Sequence, residues 1–155
     1  MRVGENFSRA ESSFLILEKD FEKIANKMLT NPRLLKLLYY REKDAQTKPS
    51  LTNAQKMGLI NKEIRIIPQL TIEKECPIFV VISFDNFEPN ENNPLFRDCL
   101  ISFDILCHPD HWNLGNFQLR PYKIAGEIDA MFNNSKMTGI GTLQFIGAKN
   151  LVLND

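Results

Sequence analysis

The residues best equipped for chemistry are Cys107, His108, Asp110 and His111, three zinc-type ligands and a carboxylate within the five positions Cys107-His108-Pro109-Asp110-His111. Structural zinc sites usually draw two ligands from each of two separated motifs. Here the second motif is missing, and both histidines of the chain fall in this one segment. The segment reads as a proline-containing turn with surface histidines, and Cys107 as a small hydrophobe on a buried strand. No metal and no other cofactor is expected.

Other chemical signals are weaker. Ile-Ser-Phe-Asp occurs twice, ending at Asp85 and Asp104. On paired strands these carboxylates would stand about 20 Å apart, whereas glycosidase pairs work at separations below about 10 Å. Glu73-Lys74 matches metal-dependent nucleases only loosely. Gly139-Ile140-Gly141 lacks a third glycine and follows a helix instead of opening one, so it does not cradle a phosphate. Neither a Gly-x-Ser-x-Gly elbow nor a Walker loop occurs. Trp112 reads as an anchor under a loop. The expectation is a protein without an active site. The rival is a small metal-dependent hydrolase or nuclease using the Cys107–His111 loop with Asp104.

The totals agree with an assembling globular protein. A chain of 155 residues suits one domain and buries about two-thirds of its unfolded surface. With 43% apolar and 25% charged residues it has a globular composition. The 19 basic and 19 acidic side chains balance, and no long basic block marks a dedicated nucleic-acid binder. No apolar run approaches the ~20 residues of a membrane span, and Met1 to Arg9 lacks the apolar stretch of a signal peptide. Cys76, Cys99 and Cys107 are odd in number and unpatterned, which points to a reducing compartment, the cytoplasm.

The elements that must position these residues follow from periodicity. Ser8 to Glu11 has capping-box spacing. Phe14, Leu17, Phe21, Ile24 and Met28 then form one helical stripe. Asn31-Pro32 caps and opens a second helix through about Arg41, with Leu34, Leu35, Leu37 and Leu38 for burial. Glu42 to Leu51 connects to a short helix capped by Thr52 or Asn53. Glu63 to Ile67 alternates like a strand until Pro68. Pro121 marks a later helix burying Tyr122, Ile124, Ala125, Ile128, Met131 and Phe132. Thr142 to Ile146 forms a final strand, which Leu151 to Leu153 extends.

Between them lie Ile78–Asp85 and Asp98–Cys107, rich in β-branched and aromatic residues. Pairing Ile78, Val80, Ile82 and Phe84 with Ile105, Phe103, Ile101 and Cys99 makes one antiparallel face wholly apolar. A one-residue slip mixes polar and apolar sets, so an odd sum of paired residue numbers is favoured. The other face carries Phe79, Val81, Ser83, Asp85, Asp98, Leu100, Ser102 and Asp104, a surface for water or a partner. Asn86 to Arg97 becomes a long loop anchored by Phe87, Leu95 and Phe96. Its length exceeds the usual two to five residues. The fold class is α+β in one domain over residues 1–155, helical over 1–62. Residues 63–155 supply a mainly antiparallel sheet of about four strands, with a helix before the last strand.

The stretch Phe117-Gln118-Leu119-Arg120-Pro121-Tyr122-Lys123-Ile124-Ala125-Gly126-Glu127-Ile128-Asp129, then Gly139, Gly141 and a strand, resembles the end of tail-completion (tail terminator) proteins of tailed phages. In that family an arginine-tyrosine stretch opens a helix reading Ile-Ala-x-x-Ile-Asp before a closing strand. The long-looped hairpin is similar too, and the likeness spans roughly residues 63 to 153. The helical N-terminal region departs from the smallest members, which leaves another neck component, such as a head-completion protein, as the alternative. A third reading is an adaptor of a related non-viral assembly.

The resemblance implies a virion neck protein, made in the host cytoplasm, that forms a hexameric ring without catalytic residues. Its partners would be the tail tube protein and the head–tail connector, with genomic DNA passing unbound and no membrane involved. The loop residues Phe87, Glu88, Asn90, Glu91, Asn92, Asn93, Leu95, Phe96 and Arg97 would contact the adjoining ring or tube. Asp85, Asp98 and Asp104 would face the lumen and repel DNA.

Overall fold

The computed structural model describes residue 14 and residues 16–66, 77–92, 97–138 and 140–150. The capping-box signal at Ser8, the segment from Ile67 through Cys76, Asn93, Leu95, Phe96, Gly139 and the strand expected at Leu151–Leu153 lie outside them.

The architecture is α+β. Helix α1 spans Leu17–Leu29 and buries Asp20, Ile24, Ala25 and Met28. Phe21 packs against the core, while Phe14 precedes the helix and is half exposed. Helix α2 spans Pro32–Tyr39. The Asn31 side chain accepts from the Arg33 and Leu34 amides, and all four of its leucines are buried. These are the N-cap and proline roles that Asn31-Pro32 announces. Helix α3, Asn53–Met57, starts with a complete capping box between Thr52 and Gln55.

Strand β1, Ile64–Arg65, runs parallel to β2, Ile78–Pro89, which pairs antiparallel with β3, Arg97–Cys107. Helix α4 spans Arg120–Phe132, one residue earlier than Pro121 suggested, and buries Ile124, Ile128 and Phe132. Tyr122, expected inside, is 59% exposed because it follows the helix face opposite to Ile124.

Helices α1, α2 and α4 cover one face of the sheet. Ile78, Val80 and Ile82 of β2 join Ile24, Met28, the α2 leucines, Ile124 and Ile128 in a single cluster. Phe21 meets Phe84 edge-on at 4.6 Å, and Phe103 stacks on Phe132 at 5.0 Å. Each such pair contributes about 1 kcal/mol beyond its burial.

The hairpin corrects three expectations. Its register pairs Ile78 with Cys107, Val80 with Ile105, Ile82 with Phe103 and Phe84 with Ile101, two residues from the expected pairing. The odd sum holds, so the same residues face the core. The ladder simply starts farther along β3, and the His108 amide extends it to the Pro77 carbonyl at 3.0 Å.

Second, part of the expected loop is strand: Asn86 to Pro89 belong to β2 and Arg97 to β3. A bulge between Asp85 and Glu88, with Asn86 at φ 53°, absorbs one extra residue before Glu88 pairs with Asp98 and Pro89 with Arg97. Asparagine tolerates that left-handed conformation, and a ribbon projecting past the core needs no apolar face. Third, Phe79 and Val81 are buried on the face expected to be wet, with the Arg65 guanidinium 3.9 Å above the Phe79 ring.

The final strand also differs. Only Gly141–Thr142 (β5) is paired, with Lys136–Met137 (β4), in a separate two-stranded ribbon. Between the end of α4 and the turn too little chain remains for a longer partner. Beyond the pair, the Leu143 and Phe145 amides bond to the Ser135 carbonyl and the Asn133 side chain, and Phe145 and Ile146 stay exposed. Among the described residues the sheet therefore has three strands beside this ribbon, against the four or so expected. No helix among the described residues is long and apolar enough to cross a membrane.

Candidate functional site

Two regions hold the residues singled out above, one at each end of the hairpin. At its base the chain leaves β3 through Cys107 and makes a 3-10 turn at Pro109–His111, capped by the His108 ring accepting from the Asp110 amide at 3.3 Å. Trp112 donates its indole N–H to the Cys107 carbonyl at 2.7 Å, the anchoring role its position suggested. A small hairpin follows: Asn113 bridges Leu119, and Gln118 bonds to Gly115 around Asn116 (φ 47°) and Phe117 (φ 59°). It delivers Arg120 to the first position of α4.

Arg120 is fully buried, and five hydrogen bonds account for its guanidinium. Nε donates to the His111 carbonyl at 2.8 Å. Nη1 donates to Leu37 and Tyr40, both at 2.7 Å, and Nη2 to Arg41 at 3.1 Å and Glu42 at 2.8 Å. All acceptors are main-chain carbonyls, four of them at the C-terminal end of α2. The Leu37 and Tyr40 carbonyls belong to the end of α2 and its cap, where the helix presents its negative pole, and Arg41 and Glu42 follow directly. Burial lowers the Arg120 pKa, but arginine stays charged in proteins. The residue ties the end of α2 to the base of the hairpin, and its place in the arginine-tyrosine stretch was the only hint of it in the sequence.

The titratable neighbours are tuned by that burial. It pushes the Cys107 thiol up to about 11, although the Arg120 and Arg41 charges pull it down. Its Sγ lies 3.7 Å from the His108 carbonyl. Burial also lowers the His111 pKa, helped by Arg41 and Arg120. Glu63 is raised by burial and partly relieved by Lys62 and by Arg41, whose Nη2 lies 3.4 Å away.

The expected zinc-type ligands do not converge. His108 faces Asp110 within its own turn at 3.5 Å, its ring centre lies 6.4 Å from that of His111, and Cys107 packs against the core. Asp104, three residues before Cys107, pairs with Val81 and lies on the opposite face of the hairpin. A nucleophile needs a thiolate or an adjacent base. Here burial holds the thiol protonated, and the Arg120 hydrogen bonds clamp the turn to the end of α2.

The opposite end is the hairpin tip. Asp85 and Asp98 flank the bulge and Asp104 lies nearer the base; all three are exposed. Asp98 accepts from the Asn90 amide at 3.0 and 3.2 Å, which closes the tip. Of the expected contact residues, Phe87 and Glu88 belong to β2 and Arg97 to β3. Asn90, Glu91 and Asn92 lie in the turn between them. The Phe87 ring meets Phe14 at 4.9 Å, and the Arg97 guanidinium lies over Phe14. The tip is thus tied to the segment leading into α1.

Neither the curated proteins nor the solved structures offer a match to the chain. A protein-family model, YomW, matches residues 31–155, from the Asn31 cap of α2 through both regions just described. The chain belongs to the YomW family, a family of phage-like, prophage-borne proteins.

Proposed function

We propose that the protein is a non-enzymatic component of a phage neck, a tail-completion protein that closes into a ring on the tail tube and meets the head–tail connector. Its membership of a phage-related family supports this, as does the likeness of the Phe117–Asp129 stretch to tail-completion proteins. The observation that carries the reading is the β2–β3 ribbon. Its outer part runs past the helical core and exposes Asp85 and Asp98 beside Leu100, with Asp104 exposed nearer the base. A ribbon of that kind suits contact with a neighbour or with the DNA path, where carboxylates keep a polyanion from adhering.

Native mass spectrometry of the purified chain across a concentration range, with zinc removed and restored, tests the reading. A metal-independent closed ring, of six subunits if the family pattern applies, is the expected result. A zinc-bearing monomer or dimer would return the Cys107–His111 loop to consideration as a hydrolase centre. In assembled particles, Asp85→Lys, Asp98→Lys and Asp104→Lys together should slow DNA passage. Unchanged infectivity would remove the lumenal role of these residues.

A further inference from the structure

Charge is distributed unevenly in this balanced chain. Between Arg33 and Arg65 stand eight basic and three acidic side chains, whereas between Ile78 and Cys107 there are five acidic and one basic. Asp85, Glu88, Glu91 and Asp98 stand toward the hairpin tip, with Asp104 nearer the base, and the basic set lies at the opposite end from the tip. At the hairpin base, His108 bonds to Pro77, and Arg120 links His111 to the Arg41 and Glu42 carbonyls. The segment from Arg33 to Arg65, the basic connector, therefore meets the hairpin base through Arg41 and Glu42. Glu88 lies ten residues farther along β2, roughly 33 Å away, and Glu91 is beyond it.

In the connector, Asp44 pairs with Lys48, and Glu63 is shared by Arg41 and Lys62. Among the described residues, Lys36, Lys43 and Lys56 have no carboxylate within ion-pair distance, and Asp85, Glu88 and Glu91 have no cation. The poles are separated by several Debye lengths at about 10 Å each, so each presents its own field. Among the described residues the ribbon is also open at its edges. Strand β1 covers only Val80 and Val81, and β3 has no described neighbour beyond β2. Unpaired strand edges of this length readily accept another chain.

We infer that copies of this chain associate head to tail, the acidic hairpin tip of one seated on the basic connector of the next. Like poles repel and unlike poles attract, which sets the order of subunits and steers their encounter. Head-to-tail contacts leave one pole free at each end until rotation closes a ring. The inference rests on the ring proposed above and supplies its subunit interface.

Carbodiimide coupling of the full chain at low salt tests it, because this reagent joins only carboxylates and amines already in contact. Peptides joining Glu88 or Glu91 to Lys36 or Lys43 can arise only between chains, given their separation. They should occur in species larger than dimers. Their yield should fall about tenfold in about 0.5 M salt. Lys36→Glu with Lys43→Glu, or Glu88→Lys with Glu91→Lys, should abolish them. Mixing the two variants should restore them, which also shows that both remain folded. Absence of these peptides from the wild type, or their persistence in either variant alone, would overturn the inference. Rings lacking them would overturn this interface and leave the ring standing. Confinement of the peptides to dimers would overturn the head-to-tail order and the ring together. Retardation of duplex DNA that Lys36→Glu with Lys43→Glu abolishes, without tip-to-connector peptides, would assign the basic pole to nucleic acid and overturn the proposal.

Discussion

Arg120 and Leu37 stand 83 positions apart, yet the Arg120 Nη1 donates to the Leu37 carbonyl at 2.7 Å in a fully buried setting. The same guanidinium serves Tyr40, Arg41, Glu42 and His111, so one side chain closes the end of α2 and holds it against the hairpin base. Removing it strands several buried acceptors at once. Arg120→Ala should destabilise the fold by about 3–5 kcal/mol. Arg120→Lys should still cost about 2 kcal/mol, because an ammonium has three donors and no planar fork. Urea denaturation of the two variants checks both values. A loss below about 1 kcal/mol for the alanine variant would show that the clamp is dispensable.

Cys107 should be a poor nucleophile. With its thiol pushed up to about 11, only about one molecule in a thousand carries the thiolate at pH 8. Iodoacetamide under native conditions should leave Cys107 unmodified, and unfolding in urea should expose it to full labelling. Peptide mass mapping reads the difference. Rapid native labelling would contradict its burial against the core.

His111 ties stability to pH. Its folded pKa is lowered by burial and by Arg41 and Arg120, so the unfolded chain binds the proton more readily. Its contribution is intact above the ordinary histidine value and is lost as pH falls from there toward the lowered folded value. Stability measured from pH 7.5 to 5 should decline in that window, and His111→Gln should flatten this part of the curve. An unchanged slope in the variant would assign the effect elsewhere.

Phe117 holds a left-handed backbone at φ 59° with its side chain fully exposed. A bulky residue is strained there, and glycine or asparagine is not. Phe117→Gly should therefore raise thermal stability, by about 1 kcal/mol, without disturbing the Gly115–Gln118 turn. A melting temperature lowered by the change would mean that the ring makes stabilising contacts that its exposure conceals.

Local and parity-based features were legible in the sequence. Asn31-Pro32 marks the start of α2 because a cap acts within three residues. Thr52, one of the two caps the sequence offers with Asn53, marks α3 for the same reason. The inward set Ile78, Val80, Ile82 and Phe84 follows from alternation, since a one-residue slip would invert every side chain.

What only the tertiary structure decided depends on partners distant in the chain. Periodicity fixes parity but not displacement, so the hairpin register could shift by two and keep its apolar face. The polar tip of that hairpin reads as a loop, because a ribbon beyond the core has no buried face to leave an alternating pattern. Phe79 and Val81 are covered on a side the alternation left open, and Thr142 to Ile146 lacks the long partner a strand requires. Arg120 looks like a surface arginine at a helix start. Its burial becomes favourable only where α2 ends, because there the fold gathers enough unpaired carbonyls to replace the water the guanidinium gives up.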